Sequence, residues 1–302
     1  MDLPTEFVKA VHRVFGDRGR AWLPTLPGIL ARCREKWELG DPVPCADMRM
    51  NYIEFGTTAA GQAAALKIGV PHPELFTEME ALRLYSSTGA VRLLDADRDL
   101  GAILMERIQP GTMLWRLGDN REEAAIAASV MRTLPVPPPP AHNLPAFSDW
   151  TERAFRLTRT EWDPEERMPR DLIDKAERAL EEIERNKPGD VLLHGDLHHE
   201  NILLDGAAGW TAIDPKGVIG APCLEVGRFL HNRLPATQRD AMIRERLSIL
   251  SAELRECEKM LAAAGLVDCV LSRCWGLEDT DIHPNWHQGI DVARILCGVL
   301  GM

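Results

Sequence analysis

Three polar residues in the second half of the chain have the types and spacing that phosphoryl transfer to a hydroxyl group requires. Asp196 and Asn201 lie five positions apart in the run HGDLHHEN, residues 194–201, and Asp214 follows thirteen positions later. Such a transfer needs a carboxylate that accepts the hydroxyl proton, and oxygen ligands for the magnesium ion on the phosphates. An aspartate, an asparagine and a second aspartate in this order supply that set.

Apolar runs flank these residues, which indicates that short strands hold them in place. Residues 191–193 precede the run, residues 202–204 follow it, and the apolar run 210–213 ends at Asp214. One alternative is a surface hairpin whose polar residues only make solvated turns. Chance alone gives this spacing in roughly a few per cent of chains of this length, so we favour the chemical interpretation.

The runs LHGDLHHENIL, residues 193–203, and AIDPKG, residues 212–217, resemble the aminoglycoside phosphotransferase family. The IDPKG string points to the branch that contains streptomycin 6-kinases and hydroxyurea phosphotransferases. The resemblance extends from about Tyr52 to the C-terminus. It implies an α+β, protein-kinase-like bilobal fold, with a small antiparallel sheet in the N-terminal lobe and a mostly helical C-terminal lobe. We expect a nucleotide-binding lobe at residues 1–107 and a catalytic and substrate-binding lobe at residues 108–302.

The resemblance also implies ATP and Mg²⁺ as cofactors and assigns roles to the motif residues. Asp196 corresponds to the catalytic base, and Asn201 and Asp214 correspond to magnesium ligands. His194 is expected to hold the backbone of the loop by hydrogen bonds. Glu225 lies where the family often has an acidic residue that supports this loop.

Two further positions near the motif bear on the acceptor. Lys216 is a candidate contact to phosphate or substrate, with an exposed lysine as the commoner outcome. Ala221 replaces an acidic residue that the family often carries, which weakens the inference to an antibiotic acceptor and leaves the phosphoryl chemistry intact.

Lys67 lies inside the apolar run AAALKI, residues 63–68, where a buried ammonium needs an anionic partner. A kinase supplies the α- and β-phosphates of ATP and a glutamate from the following helix. Glu78 shares the apolar face of that helix, so we select it over Glu80. The alternative for Lys67 alone is an edge-strand lysine that reaches solvent.

The remaining nucleotide contacts rest on position in the chain. The turn at residues 55–61, FGTTAAG, precedes the lysine strand, where a kinase folds a loop over the phosphates. The strand-like run AILMERI, residues 102–108, resembles the hinge of the family. This resemblance assigns Met105 to the border of the adenine pocket and the backbone from Glu106 to Ile108 to the adenine edge.

The acceptor should be a small molecule with a hydroxyl group, and its identity stays open. Acidic residues beside tryptophans suit a cationic sugar; the candidates are Asp149, Trp150, Glu161, Trp162 and the segment 275–281. Packed tryptophans with solvated acids nearby are the alternative. Besides an antibiotic kinase, we retain a metabolic kinase for a sugar, amino alcohol or choline-like acceptor, and a kinase-like binding protein without turnover.

Composition excludes several classes of protein. The formal net charge of −11 disfavours nucleic acid as a partner. Seven cysteines without regular spacing argue against a disulfide framework, and a zinc site at Cys269 and Cys274 lacks a second pair. Neither a membrane span nor a secretory signal is expected, so we predict a cytoplasmic protein. We also expect the protein to be a monomer or a weak dimer.

Periodicity predicts the order of elements before the motif. We expect helices at about residues 5–15, 26–37 and 73–86, and strands at about 47–55, 60–68 and 101–106. From Arg121 onward the pattern is mostly helical, apart from hairpins at 191–214. The proline run at 135–140 must be extended, and we place it on the surface of the large lobe.

Overall fold

The computed structural model describes residues 3–46, 48–163, 167–278 and 286–302, without the side chains of the first two residues of the last range. The chain forms two compact units, Met1–Gly111 and Thr112–Met302.

The first unit combines three helices with an antiparallel sheet of five strands. In chain order its elements are α1 (Thr5–Trp22), a 3₁₀ turn (Leu23–Thr25), α2 (Leu26–Lys36), β1 (Gly40–Pro44), β2 (Tyr52–Thr57), β3 (Ala63–Ile68), α3 (Pro73–Tyr85), β4 (Leu93–Asp97) and β5 (Ala102–Glu106). The predicted order strand, strand, helix, strand is therefore present, with two further strands at the edges.

The sheet order β1-β2-β3-β5-β4 places β3 at its centre. Lys67 pairs with Ile53 on β2 and with Ile103 on β5. Its side chain is only 4% exposed. The edge-strand alternative for this lysine was therefore wrong, and the ammonium is buried in the middle of the unit.

Alternate residues of β3 face opposite sides of the sheet, as strand geometry requires. Ala64, Leu66 and Ile68 belong to the core that α1 and α2 cover. Lys67 lies between Leu66 and Ile68 in sequence, so its side chain projects from the opposite face of the sheet, where it contacts Glu78 of α3. Burial of α3 along Leu75, Met79 and Leu82 fixes this helix to the unit.

Helix α1 is longer than the sequence predicted. Periodicity ended it near Phe15, and the structure has a kink at the next residue, where Gly16 adopts non-helical angles (φ 53°, ψ −130°). The helix then continues to Trp22. Thr5 is its first residue and not its N-cap, a position that Pro4 occupies without a side-chain hydrogen bond.

The second unit is mostly helical, with short strands around the motif. In chain order its elements are β6 (Pro110–Met113), which begins at the boundary, a 3₁₀ turn (Leu114–Arg116), α4 (Asn120–Thr133), α5 (Phe147–Leu157), a π-helix (Thr158–Trp162), α6 (Arg170–Asn186), β7 (Val191–Leu193), β8 (Ile202–Asp205), β9 (Gly209–Ala212), β10 (Val218–Gly220), a 3₁₀ turn (Pro222–Val226), α7 (Gly227–His231), α8 (Arg239–Leu254), α9 (Glu258–Glu278) and α10 (Trp286–Leu300). The proline run lies between α4 and α5, inside this unit as predicted.

Helix α9 forms the centre of the second unit. It contacts α5, α6, α7, α8 and α10. Its most apolar 18-residue window has a mean hydropathy of 1.4, enough in length and composition to cross a membrane, and 78% of that window is buried inside the unit. The expectation that no segment approaches such a run was therefore wrong; the helix is apolar because it is the core.

Two small sheets hold the motif in the second unit. Strands β7 and β10 pair antiparallel, with Leu193 opposite Val218. Strands β8 and β9 form a hairpin with Ile202 opposite Ala212, and β6 extends that sheet. Residues 194–201 connect the first sheet to the second, and residues 213–217 return from the second to the first.

Candidate active site

Lys67 and Glu78 form a buried ion pair in the first unit. The Nζ atom of Lys67 donates to both carboxylate oxygens of Glu78 at 2.7 Å. Both side chains are at most 7% exposed. The helix contributes Glu78, the residue that the facial argument selected, while the side chain of Glu80 is only half-buried.

The predicted hinge residues lie at the end of β5 and just after it. Glu106 pairs with Ala64 of β3, and its carboxylate accepts hydrogen bonds from the backbone N–H and the Nε of Arg92. Met105 and Ile108 are half-buried. The Glu106 side chain is thus committed to Arg92, so any recognition at this position would use the backbone.

The catalytic-loop candidate, residues 194–201, is tied down by the buried imidazole of His194. Its Nε2 donates to the carbonyl of Ile213 at 2.8 Å, and its Nδ1 accepts the backbone N–H of Asp196 at 3.2 Å. Burial lowers the pKa of His194 to about 4, so the ring is neutral at pH 7. This matches the expected role in holding the backbone.

Glu225 fixes the start of the same loop. Its carboxylate accepts the backbone N–H groups of His194 at 2.7 Å and Gly195 at 3.3 Å. Burial raises the pKa of Glu225 to about 7, against the lowering effect of these two hydrogen bonds. The carboxylate therefore lies where the resemblance implied a supporting acid.

Asn201 and Asp214 are brought together by backbone hydrogen bonds. The N–H of Ile213, next to Asp214, donates to the carbonyl of Asn201 at 2.9 Å. The side-chain Nδ2 of Asn201 donates to the carbonyl of Asp196 at 3.0 Å. This bond uses the amide nitrogen and leaves the amide oxygen as the donor atom of Asn201 for a cation.

Asp214 adopts a left-handed backbone conformation, with φ at +62°. For a residue other than glycine, the left-handed conformation costs about 1 kcal/mol or more, and such strain concentrates at functional positions. On the return segment, the backbone N–H of Lys216 donates to the carbonyl of His194 at 2.7 Å. The residues before and after Asp214 are thereby both bonded to the loop.

The other loop histidines do not form a metal site. His199 is fully buried, stacks on Phe229 with ring centroids 4.2 Å apart, and lies 3.2 Å from Nη2 of Arg246 through its Nε2. His198 Nδ1 lies 3.0 Å from Glu200. Within the described residues, no group of three or more histidine, cysteine, aspartate or glutamate side chains is arranged to hold a metal ion.

The seven cysteines are all free thiols. Cys269 and Cys274 lie on α9, where burial raises the pKa of Cys269 to about 12 and of Cys274 to about 11. Thiols that hold their protons this strongly are poor zinc ligands, since the metal binds the thiolate.

The proposed acceptor residues are partly committed to other contacts. Asp149 caps the start of α5, where its carboxylate accepts the N–H of Ala146 at 2.9 Å. Glu278 pairs with Arg153, which also lies over the ring of Trp162. Asp279, Thr280 and Asp281, also in the proposed segment, lie outside the described residues.

Trp150 lies beside the loop and forms an aromatic pair with Trp275. Their rings meet edge to face with centroids 5.5 Å apart. A methyl group added at Gly195, where φ is +78°, would lie 3.1 Å from the Trp150 ring and 2.8 Å from Val218. The glycine therefore lets the loop pass directly beneath Trp150, one residue before Asp196.

Sequence reasoning missed Arg228 of α7. Its Nε lies 3.1 Å from Oδ1 of Asp196. Nothing in the spacing of the motif indicates this contact, because it depends on how α7 packs in the unit.

The buried neutral histidines should make the second unit sensitive to acid. Burial lowers the pKa of His199 to about 3, below its unfolded value of 6.5. The unfolded chain then takes up the proton first, so stability present above pH 6.5 is lost as the pH falls towards 3. At pH 5 this histidine should cost about 2 kcal/mol of unfolding free energy. We expect the His199→Gln variant to lose correspondingly less stability between pH 7 and pH 5.

Urea unfolding at pH 5, 6 and 7 measures this difference. The exposed His142 provides the control, since its replacement by glutamine should leave the pH dependence unchanged. Equal slopes for the wild type and the His199 variant would contradict the prediction.

Glu225 acts in the opposite direction between pH 7 and 4.5, because its raised pKa lets the folded state take up the proton first. Comparing variants that both retain Glu225 cancels that contribution.

The first unit thus carries a buried strand lysine paired with a helix glutamate, and the second carries an anchored loop with Asp196 and Asn201, followed by Asp214. Solved structures agree with the fold. Over 90% of this chain and 97% of the other, the structure resembles a thermostable mutant of aminoglycoside phosphotransferase APH(4)-Ia, solved with ADP and hygromycin B, with a TM-score of 0.61 at 16% identity.

Sequence comparison identifies the family. Residues 36–280 match the profile of the aminoglycoside/hydroxyurea antibiotic resistance kinases. The chain is 30% identical to streptomycin 6-kinase of Streptomyces griseus over 94% of each chain. It is also 30% identical to hydroxyurea phosphotransferase of Kitasatospora aureofaciens, over 100% of this chain and 87% of that one. The protein belongs to this family and is an ATP-dependent phosphotransferase with an alcohol group as acceptor, which confirms the predicted family, fold class and enzyme class.

Proposed function

We propose that the protein transfers the γ-phosphoryl group of ATP to a hydroxyl of an aminoglycoside-type antibiotic. The observation that carries the proposal is the arrangement of the loop at residues 194–201. A neutral histidine, a buried glutamate and an asparagine amide fix its backbone, so Asp196 presents its carboxylate from a rigid support. Rigid support of this kind is what catalysis by positioning requires.

Asp196 is assigned as the catalytic base. It orients the acceptor hydroxyl and takes its proton late, because the transition state of phosphoryl transfer is loose. Its side chain is 21% exposed, enough to meet an acceptor and still be held by its neighbours.

Asn201 and Asp214 are assigned as the magnesium ligands. One amide oxygen and one carboxylate are hard oxygen donors, and Mg²⁺ commonly takes one or two protein ligands and completes its shell with water and phosphate oxygens. When bound, the ion offsets the negative charge on the β- and γ-phosphates. The donor set on this chain fits that ion better than zinc, which prefers nitrogen and sulfur ligands.

The first unit is assigned to the nucleotide. Lys67, held by Glu78, would contact the α- and β-phosphates, and the backbone from Glu106 to Ile108 would bond the adenine edge beside Met105. We take residues 1–107 as the nucleotide-binding lobe and 108–302 as the catalytic and substrate-binding lobe.

The acceptor is inferred from the relatives and from the surface beside the loop. Both curated relatives described above are named for small antibiotic or drug acceptors. Trp150 lies next to Gly195 and meets Trp275 edge to face, and an aromatic surface of this kind suits the apolar face of a sugar ring.

Phosphate transfer to a panel of acceptors tests the proposal. The panel contains streptomycin, other aminoglycosides, hydroxyurea, simple sugars, choline and ethanolamine, with ADP release and phosphorylated product both measured. We expect kcat/KM for an aminoglycoside to exceed that for choline by at least about 100-fold, the margin that a site built around one substrate class provides. A preference for choline or a sugar would show that the protein is a metabolic kinase. If no acceptor gives a product, the result would favour a kinase-like binding protein without turnover.

A further inference from the structure

A second acidic residue, far from the motif in sequence, is connected to Asp196 through a half-buried arginine. The Nε of Arg228 lies 3.1 Å from Oδ1 of Asp196 and 3.6 Å from Oδ2 of Asp268. Asp268 lies in the middle of α9 and is 3% exposed. One guanidinium group therefore lies between two carboxylates, one of which is the assigned base.

Helix α9 holds the arginine by its other end. The Nη1 of Arg228 donates to the hydroxyl of Ser272 at 2.8 Å, and that hydroxyl donates to the carbonyl of Asp268, also at 2.8 Å. The ring of His231, Nε2, lies 2.6 Å from Oδ2 of Asp268. Asp268 is therefore fixed from two sides, and it in turn restrains Arg228.

The close packing of α7 on α9 makes this contact possible. A methyl group at Gly227 would lie 2.5 Å from Cβ of Asp268 and 3.1 Å from the carbonyl of Ala264. Only glycine allows the helices to approach this far. The residue that follows it, Arg228, then reaches both Asp268 and the loop.

Burial and the opposite charges of neighbours shift the pKa values in this group. Burial alone would lower the pKa of Arg228, but Asp268 and Asp196 overcome that effect and raise it. Burial would raise the pKa of Asp268, and Arg228 and His231 overcome it and lower it. Burial lowers the pKa of His231 in spite of Asp268. Arg228 is therefore ionised next to an ionised Asp268, beside a neutral imidazole.

We propose that Arg228, held in place by Asp268, is a positioning residue that fixes the carboxylate of Asp196 and directs its Oδ2 towards the acceptor hydroxyl. The inference deepens the proposed function and rests on the role of Asp196 in it. The Nε of Arg228 forms an ion pair with Oδ1 at 3.1 Å, and Nε2 of His198 lies 3.9 Å from the same oxygen. Because both basic side chains approach Oδ1, we assign Oδ2 as the oxygen that faces the acceptor.

The assignment makes the transfer step explicit. The acceptor oxygen forms a bond to the γ-phosphorus while the bond from that phosphorus to the ADP oxygen breaks. The acceptor proton passes to Oδ2 of Asp196. Arg228 takes no proton; it keeps the carboxylate from rotating, so that the oxygen opposite the hydroxyl stays the same from one turnover to the next.

A double-mutant cycle on Arg228 and Asp268 tests the proposal with the full-length enzyme. We expect Arg228→Gln to lower kcat by about 10- to 100-fold with little change in KM for ATP and for the acceptor, since the interaction matters in the transition state. Asp268→Asn should also lower kcat, because it weakens the contacts of Asp268 that hold Arg228 in place. The double variant should be no slower than Arg228→Gln alone, because Asp268 acts through Arg228. Arg228→Lys, which retains the charge, should recover part of the loss.

Controls separate positioning from folding. Arg244→Gln removes an exposed arginine of α8 and should leave kcat unchanged. Thermal unfolding of each variant shows whether it is folded; if Arg228→Gln does not fold, Arg228→Lys and Asp268→Asn decide the question. An unchanged kcat in folded variants, or losses that multiply in the double variant, would overturn the proposal. The series is run on whichever acceptor the wild-type enzyme phosphorylates, so a wrong acceptor class refutes the proposed function while the Arg228 result stays decisive.

Discussion

Replacing Asp196 by asparagine is expected to lower kcat by about 10²–10⁴-fold, the usual contribution of a general base. An amide occupies the same space but cannot accept the acceptor proton. The loop should keep its shape, because Asp196 joins its hydrogen bonds through its backbone N–H and carbonyl. We therefore expect KM for ATP and the unfolding free energy to change little.

Steady-state kinetics and nucleotide titration measure this outcome. Asp190, an exposed acid just before β7, provides a matched control, and its replacement by asparagine should leave kcat unchanged. Turnover by Asp196→Asn equal to that of the wild type would remove the assignment of the base. A loss of nucleotide binding with kcat unchanged would move Asp196 from chemistry to binding.

Replacing Lys67 by methionine is expected to reduce both activity and stability. Glu78 would lose the ammonium that contacts both of its oxygens at 2.7 Å, and breaking one side of a buried pair costs about 3–5 kcal/mol. The variant should also lose the phosphate contact that we assign to Lys67. We expect kcat/KM for ATP to fall by about 100-fold or more, the effect of removing one preorganised charge from a reacting group.

A double variant separates these two effects. Lys67→Met combined with Glu78→Gln removes both charges, so much of the stability should return, since neutral replacement of a buried pair is often tolerated. Activity should not return, because the phosphate contact is still missing. Urea unfolding and ATP kinetics measure the two outcomes.

The exposed pair of Lys36 and Asp97 supplies the control for the Lys67 series. Lys36→Met should change stability by less than about 1 kcal/mol, because its side chain is 41% exposed. Recovery of activity in the Lys67→Met/Glu78→Gln variant would show that Lys67 serves folding alone.

The ion pair of Lys67 and Glu78 was predictable because it depends on short-range patterns. A lysine in an apolar strand demands a counter-charge, and helical periodicity selected one of two glutamates. The loop was predictable for the same reason, since residues five positions apart in one loop are bound to be neighbours. These parts of the site are fixed by local sequence.

Arg228 and Asp268 were not predictable, because their contact is made by tertiary packing. The sequence around Gly227 does not indicate that α7 packs very closely on α9. In the structure the two helices are so close that a methyl group at Gly227 would not fit. Asp268 also lies in an apolar run, and a single acidic residue there gives no indication that it has a functional partner. Only the packed structure shows that it has an arginine partner.

The edge strands of the first sheet were missed for a different physical reason. Strand β1 carries two prolines in GDPVP, a pattern that does not by itself predict a strand. Proline is tolerated on an edge strand because the edge has no partner for its missing N–H. Strand β4, at the other edge, is the acidic run LLDAD, whose apolar pattern is too short to signal a strand.

The packing of α3 has a consequence for how the enzyme is controlled. Glu78 already contacts Lys67, and Leu75, Met79 and Leu82 bury the same helix in its own unit. Moving the helix aside would break the buried pair at a cost of about 3–5 kcal/mol, before any exposed apolar surface is counted. A regulator would need a differential affinity of about 150- to 5,000-fold to offset that cost. We therefore expect α3 to hold this position in the absence of any activating partner.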